Sequence, residues 1–352
     1  NTGNDIENTV FSPYSAFVCV AMSTSLFKNE TRAEILKSLQ IDPNISENEV
    51  LLKQLGELIN KENTDKVSSS NRIWANQVLN FDPSTFAPNE KILGIPIEKT
   101  GFPQPGCNKI NEEVNRTTKG MIPKLVEESD VGPDTAVVLL NAIYFKSDWE
   151  KKFDIDPSSN DPQNMNFTLA NGTKTHVNML KSFDRKLPYA EDDKFQVVSI
   201  PYLNNEYEFI IIVPKDSTAA GYNDLKELTY ERLNNNLLSN LRTMKLDLRL
   251  PKFTIELKTV LNDVFNSLGL NRIFTNQAQC TDPNISYYVS SIIQKAKIIL
   301  DENEVGNNDD INMFFKLCSF YLFSPSKKNS IANFNLIFSK SVFSFKSNMI
   351  PM

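Results

Sequence analysis

Residues that could perform covalent or acid–base chemistry are few in this chain of 352 amino acids. His176 is the single histidine, and no G-x-S-x-G elbow supplies the serine of a hydrolase triad. The H-E-x-x-H, P-loop and G-x-G-x-x-G patterns of zinc, phosphate and dinucleotide sites are absent too. The adjacent acids at Asp192–Asp193 and Asp309–Asp310 are more typical of solvated turns than of acid–base pairs. We therefore expect a protein that is not an enzyme and holds no metal or cofactor, with His176 an ordinary strand residue.

The cysteines and the glycosylation sequons say little about chemistry or compartment. The four cysteines are Cys19, Cys107, Cys280 and Cys318. Their wide spacing predicts free thiols rather than a disulfide framework. N-x-S/T sequons occur at Asn29, Asn44, Asn115, Asn166, Asn171 and Asn284. Several are expected by chance in a chain so rich in asparagine. We expect an extracellular, secreted protein, with the cytoplasm as the open alternative.

Composition and charge exclude several classes of partner. Hydrophobic residues make up 40% of the chain and charged residues 23%, which favours a large core over disorder. The net charge of -6 is mild and the basic residues are scattered, so we expect no nucleic-acid partner. The apolar runs, such as Phe209–Val213, are strand-sized and too short for a membrane span. We expect a monomer that binds no membrane.

The hydrophobic pattern predicts helices first and strands later. Helices are expected at Ser15–Phe27, Thr31–Leu39, Ser46–Lys61, Asn108–Glu128 and Leu257–Leu268. Strands are expected from Phe195 to Ile200, from Glu206 to Val213 and from Lys245 to Leu257. The first 150 residues or so are therefore expected to be mostly helical. Because no repeat or flexible linker divides the chain, the pattern predicts one α+β domain over residues 1–352.

Several stretches across most of the chain match known sequence motifs. Phe11-Ser-Pro-Tyr-Ser resembles an FSPxS motif, and the stretch that begins Ile110-Asn-Glu-Glu-Val is similar to an INxWVxxxTxGxI helix. The most specific stretch, Leu140-Asn-Ala-Ile-Tyr-Phe-Lys-Ser-Asp-Trp, resembles NAIYFKGxW. Further matching stretches begin at Leu250, Gly269 and Val289. In these motifs and in their order, the chain resembles the serpin family.

This resemblance implies a fold of three β-sheets, about nine helices and an exposed reactive-centre loop at about residues 302–325. A target serine protease would cleave the loop as a substrate. The loop would then enter the central sheet as an additional strand and carry the acylated protease with it. The alternative is a non-inhibitory serpin, namely a carrier, chaperone or storage protein that proteases cut as a plain substrate.

The resemblance also assigns residues to the moving parts. A polar cluster beneath the central sheet corresponds to Ser12, Ser15, Asn141 and Gln294, with Gln294 in place of the family's histidine. Helix capping is a simpler explanation for the two serines. Trp149 matches a family tryptophan at the point where insertion begins. Lys252 and Glu302 match an ion pair at the base of the loop.

The hinge of the loop departs from the family pattern. Inhibitory members resemble EEGTEAAAAT, whereas this chain has Glu302, Asn303, Glu304, Val305, Gly306, Asn307, Asn308, Asp309 and Asp310. In an ungapped alignment Asn307 and Asp309 would point into the core after insertion. Burying an uncompensated amide costs about 1–3 kcal/mol, and a carboxylate costs more. The hinge therefore predicts slower insertion and favours the non-inhibitory alternative.

The family's usual loop length places the scissile bond at Cys318–Ser319, with a shift inside residues 314–324 left open. The flanking residues are Phe315, Lys316, Leu317 and Phe320. The apolar side chains Phe315, Leu317 and Phe320 predict a target with a hydrophobic primary pocket, chymotrypsin-like or cathepsin-G-like. Lys316 is the only basic residue nearby, which disfavours a trypsin-like target. The apolar distal half of the loop also suits insertion as a strand.

Overall fold

The computed structural model describes residues 8–42, 48–59, 66–153, 164–169, 173–205, 207–216, 218–289 and 291–300. The predicted reactive-centre loop therefore lies outside the described residues. The described chain forms two compact units. Residues 11–145 and 256–297 make one of them, and residues 8–10, 146–255 and 298–300 make the other.

Eight α-helices occur in the described ranges. They are Pro13–Ser23 (α1), Asn29–Ser38 (α2), Asn48–Ile59 (α3), Ala87–Lys91 (α4), Gly106–Thr117 (α5), Ala219–Lys226 (α6), Tyr230–Arg232 (α7) and Asn262–Ser267 (α8). Proline stands in the first turn of α1, and the Ser12 side chain accepts from the backbone N–H of Ser15 as an N-cap. Nine of the 11 residues of α1 are buried, so this helix lies in the core of its unit.

Ten strands occur in the same ranges. They are Val67–Asn76 (β1), Ile97–Thr100 (β2), Val137–Phe145 (β3), Asn164–Thr168 (β4), Lys174–Glu191 (β5), Phe195–Pro201 (β6), Glu208–Pro214 (β7), Arg242–Pro251 (β8), Phe253–Val260 (β9) and Ile293–Leu300 (β10). One sheet has the order β2-β1-β3 and a second pairs β10 with β9. The third has the order β4-β5-β6-β7, with β8 also paired to β5.

The structure differs from the expected elements at several places. The first 150 residues are not mostly helical, because they contain β1, β2 and β3. The expected strand over Lys245–Leu257 is two strands that break at Lys252. The expected helix over Leu257–Leu268 was wrong in its first half, since β9 alternates half-buried and exposed residues to Val260. α5 ends well before Glu128, because Lys119 and Gly120, with φ of 50° and 85°, take the left-handed conformation that terminates helices, and the Gly120 N–H donates to the Asn115 carbonyl at 2.8 Å.

Other expectations concern single residues. His176 lies on β5 opposite Asn166 of β4, as an ordinary strand residue. Cys107 and Cys280 are buried free thiols, and Cys19 is half-buried; Cys318 is outside the described residues. Within the described ranges, no helix is both long and apolar enough to span a membrane.

Candidate functional site

A polar cluster joins the start of α1 to β10. The backbone N–H of Ser12 donates to Gln294 Oε1 at 2.7 Å, and Gln294 Nε2 donates to the Ser12 carbonyl at 2.8 Å. The Ser12 hydroxyl donates to Ser15 Oγ at 3.1 Å, and all three residues are buried. The glutamine amide thus binds the backbone of Ser12 as a neighbouring strand would. Ser12 therefore both caps α1 and belongs to the polar cluster.

Asn141 pairs with an amide that the sequence analysis did not single out. It lies on β3 directly opposite Asn71 of β1, and its Nδ2 donates to Asn71 Oδ1 at 2.8 Å. Asn71 is buried. Burying an amide in the middle of a sheet costs free energy unless it is hydrogen-bonded. The polar run Ser68–Arg72 could have indicated this pair of amides from the sequence.

Among the described residues, β3 and β10 belong to different sheets. There β3 pairs with β1, and β10 pairs with β9. α1 packs against β3 and, through Ser12, binds Gln294 of β10. Edge strands present backbone groups that can pair with another strand. Hydrogen-bonded polar groups next to such an edge can exchange partners, whereas interdigitated aliphatic side chains resist rearrangement.

Trp149 belongs to the other unit and is the centre of an aromatic cluster. Its ring stacks on Tyr202 with centroids 4.8 Å apart and an interplanar angle of 10°. Phe153 and Phe209 meet the same ring edge-on at 5.3 and 5.9 Å. Arg185, which is buried, lies over the Phe153 ring at 5.3 Å. This cation was not predicted, since a basic residue in a strand normally faces solvent.

Lys252 lies in the short break between β8 and β9. Its backbone N–H donates to the carbonyl of Asn178 at 2.8 Å, which fixes the backbone at this point. Its predicted partner Glu302 lies outside the described residues, as do the rest of the hinge, the reactive bond Cys318–Ser319 and its flanks. The ion pair at the base of the loop remains a prediction.

Comparison with known proteins decides the family. A family model described as "Serpin (serine protease inhibitor)" matches residues 1–335. The chain belongs to the serpin family. The predicted family and the predicted α+β serpin fold are thus confirmed.

Several relatives of this serpin cover most of its length. Leukocyte elastase inhibitor A of Mus musculus is 28% identical over 86% of this chain and 82% of its own. Iripin-2 of Ixodes ricinus is 29% identical over 85% of this chain and 76% of its own. A serpin-12 structure from Manduca sexta, at 27% identity, superposes with a TM-score of 0.70 over 85% of this serpin and 84% of that chain.

Proposed function

We propose that this serpin is a serine protease inhibitor that acts as a suicide substrate, and that it is not an enzyme. A protease cleaves the loop at 302–325, and the loop then adds a strand between β3 and β10. The observation that supports the proposal is the polar contact between Ser12, at the start of α1, and Gln294 of β10, together with the membership of β3 and β10 in different sheets of the described chain. We also propose that residues 1–352 form one serpin domain and that the protein is a monomer.

We also propose which class of protease this serpin inhibits. By its name, the mouse relative inhibits leukocyte elastase. Phe315, Leu317 and Phe320 flank the proposed bond at Cys318, and such apolar side chains fit a hydrophobic primary pocket. A chymotrypsin-like or cathepsin-G-like protease is therefore the favoured partner.

The second candidate function is that of a non-inhibitory serpin, and the polar hinge supports it. Asn307 and Asp309 would have to be buried during insertion, and burying an amide or a carboxylate costs free energy unless it is hydrogen-bonded. If the loop inserts faster than the protease is released, the protein inhibits the protease. If release is faster, the protein is cut as a plain substrate.

Thermal stability before and after loop cleavage tests insertion. An added strand buries apolar side chains and gains backbone hydrogen bonds to its neighbours, so the cut protein should melt at least several degrees above the intact one. Differential scanning calorimetry on intact and chymotrypsin-cut protein measures the change. Equal melting temperatures would support the non-inhibitory candidate.

The hinge variant Asn307→Ala with Asp309→Ala should trap protease more efficiently. Removing a buried amide and a buried carboxylate lowers the cost of insertion by a few kcal/mol (roughly 1–3 for the amide alone), so fewer inhibitor molecules are cut per protease trapped. Titration of chymotrypsin activity measures this number. Asn308→Ala with Asp310→Ala, at outward-facing positions, is the control. An unchanged ratio in the first variant would show that the hinge does not limit insertion.

Secretion is a further part of the proposal. The sequon residues Asn29, Asn115, Asn166 and Asn284 are exposed, whereas Asn44 and Asn171 lie outside the described residues. Exposed sequons are compatible with glycans in a secreted protein. A native protein whose mass is unchanged by an N-glycan-removing enzyme would argue for the cytoplasm.

A further inference from the structure

The pairing of β5 with β8 brings together basic residues that are far apart in the sequence. Lys181 lies directly opposite Arg249, and Lys186 lies directly opposite Lys245. Side chains alternate between the two faces of a strand, and Lys245 and Arg249 are four residues apart on β8, so both pairs lie on the same face. We call these four residues the basic face of β5 and β8.

The basic face is unfavourable for the sheet itself. Like charges directly opposite each other on two antiparallel strands destabilise the pairing. Two carboxylates offset part of the charge, because Asp184 Oδ1 lies 3.7 Å from Lys245 Nζ, and Asp247 is on the same face and accepts from the Asp184 backbone N–H at 3.1 Å. Four cations and two carboxylates leave an excess of two positive charges in a chain whose net charge is -6. Such a conflict between local charges and the fold is typical of a functional surface.

A β-bulge presents an aromatic ring beside the basic face. Phe183 and Asp184 of β5 stand opposite Asp247 alone, and Asp184 has φ of 50°, in the left-handed region that few residues other than glycine adopt. The Phe183 side chain is 43% exposed, and the Arg249 guanidinium lies over its ring at 6.0 Å. Bulges that redirect a side chain are common next to functional sites, and aromatic residues with arginine are enriched in contact surfaces.

The described chain ends close to the basic face. The Leu261 N–H donates to the Ile292 carbonyl, and Glu256 of β9 pairs with Lys297 of β10, so these two strands are antiparallel. This register places Leu300, the last described residue, beside the start of β9, which follows β8 almost at once. Leu300, β5 and β8 belong to the same compact unit.

The next residues of the chain have the complementary charge. Residues 301–310 contain no lysine or arginine, and their acidic residues are Asp301, Glu302, Glu304, Asp309 and Asp310. A segment of this length reaches about 33 Å when extended. Arg249 and Lys245 lie four and eight residues before the start of β9, which is about 26 Å or less along the strand. The segment can therefore reach the basic face without any movement of the sheets.

We propose that the basic face is a docking surface for residues 301–310 of the same chain, whose carboxylates pair with Lys186, Lys245 and Arg249. Exposed ion pairs are weak one by one, but several on one short tether act together at a high effective concentration. The docked segment is shielded from proteases, and salt releases it. This inference goes beyond the proposed function, because docking requires neither cleavage nor insertion of the loop.

A zero-length cross-link tests the contact directly. A carbodiimide joins an amine to a carboxylate only where the two touch. In intact protein at micromolar concentration, we expect cross-links from Lys186 or Lys245 to a carboxylate within residues 301–310, found by mass spectrometry in the band with the mass of one chain. Cross-links to this segment that occur only in a band with the mass of two chains would show that the contact is between molecules and would overturn the proposal.

A charge-reversal variant gives a second readout. Lys186→Glu with Lys245→Glu reverses the sign of the face but keeps two like charges opposite each other, so the repulsion between the strands is retained. A glutamate-specific protease should cut after Glu302 and Glu304 about threefold faster or more in this variant than in wild type. Raising NaCl from about 0.05 to about 0.5 M should accelerate cutting of the wild type but not of the variant. Lys53→Glu with Lys174→Glu, at two exposed positions outside the basic face, is the control for net charge.

The outcomes separate this inference from the proposed inhibitory function. Equal cutting rates in the wild type, the charge-reversal variant and the control, or no cross-link to residues 301–310, would overturn the docking surface even if the protein traps protease. If the cross-links and the cutting rates are as expected but no protease is trapped, the docking surface stands and the inhibitory function fails.

Discussion

Replacing Trp149 by alanine is expected to lower the free energy of unfolding by about 3–5 kcal/mol. The indole is buried, stacked on Tyr202, and met edge-on by Phe153 and Phe209. The variant loses the burial and the aromatic contacts and leaves a cavity among three rings that cannot easily collapse. Urea unfolding followed by circular dichroism measures the change.

Two further variants make this result specific. Trp149→Phe keeps one ring for the stack and should lose clearly less stability than the alanine variant. Leu203→Ala removes a neighbouring side chain that is 44% exposed, and should change the free energy of unfolding by about 0.5 kcal/mol or less. If Trp149→Ala unfolds at the same urea concentration as Leu203→Ala, the aromatic cluster does not stabilise this unit.

Replacing Asp282 by asparagine is expected to cost about 3 kcal/mol. Asp282 is buried, and its Oδ1 accepts from the backbone N–H groups of Asn284 and Ile285 at 2.8 and 3.0 Å. Its Oδ2 accepts from the backbone N–H of Asp82 at 2.9 Å and from the Thr85 hydroxyl. Asparagine has one acceptor oxygen, so its NH₂ group must face donors on one side. Urea unfolding at neutral pH measures the cost.

The cost should depend on pH in a defined direction. Burial by itself would raise the pKa of Asp282, but its four hydrogen bonds outweigh burial and lower the pKa from the ordinary value of 3.8. The charged form therefore stabilises the fold above the unfolded pKa, near 3.9, and this contribution is lost as the pH falls through the lower folded pKa. The difference in the free energy of unfolding between wild type and Asp282→Asn should therefore become smaller in acid. Asp134→Asn, at an exposed turn, is the control. A difference in unfolding free energy between wild type and Asp282→Asn that stays constant with pH would contradict the assignment.

The sequence predicted the strands with clean alternation and missed those with polar faces. β6 and β7 occur where their apolar runs predicted them. β1 was not predicted, because Ser70 and Arg72 on this strand contact Glu113 of α5 instead of an apolar layer. Hydrophobic periodicity indicates a strand only when one of its faces is apolar. The face of β1 that carries Ser70 and Arg72 contacts a carboxylate instead.

The C-terminal end of α5 was not predicted. By contrast, α1 begins at Pro13, two residues before its expected start at Ser15. The apolar residues of 121–126 continue the helical spacing of α5, yet they belong to the segment that Asn111 binds back to the helix. Local spacing could not reveal this fold-back, since it depends on one amide side chain in the preceding turn.

The polar cluster could be predicted from family resemblance but not from spacing. Ser12 and Gln294 are 282 residues apart, and nothing local connects them. The resemblance gave Ser12, Ser15 and Gln294, which the structure brings together, and Asn141, whose bonded partner Asn71 was missed. The contribution of Arg185 to the Trp149 cluster was missed as well, because a buried cation has no local sequence signal.

Covalent trapping is the most direct test of the claim that this serpin is a suicide-substrate inhibitor. Intact protein is mixed with chymotrypsin, with cathepsin G and with trypsin, and each reaction is examined on a denaturing gel. We expect a band near the summed mass of the two proteins with the first two proteases, little of it with trypsin, and loss of protease activity to match. Clean cleavage within residues 314–324 with no such band, and with protease activity fully retained, would contradict the claim.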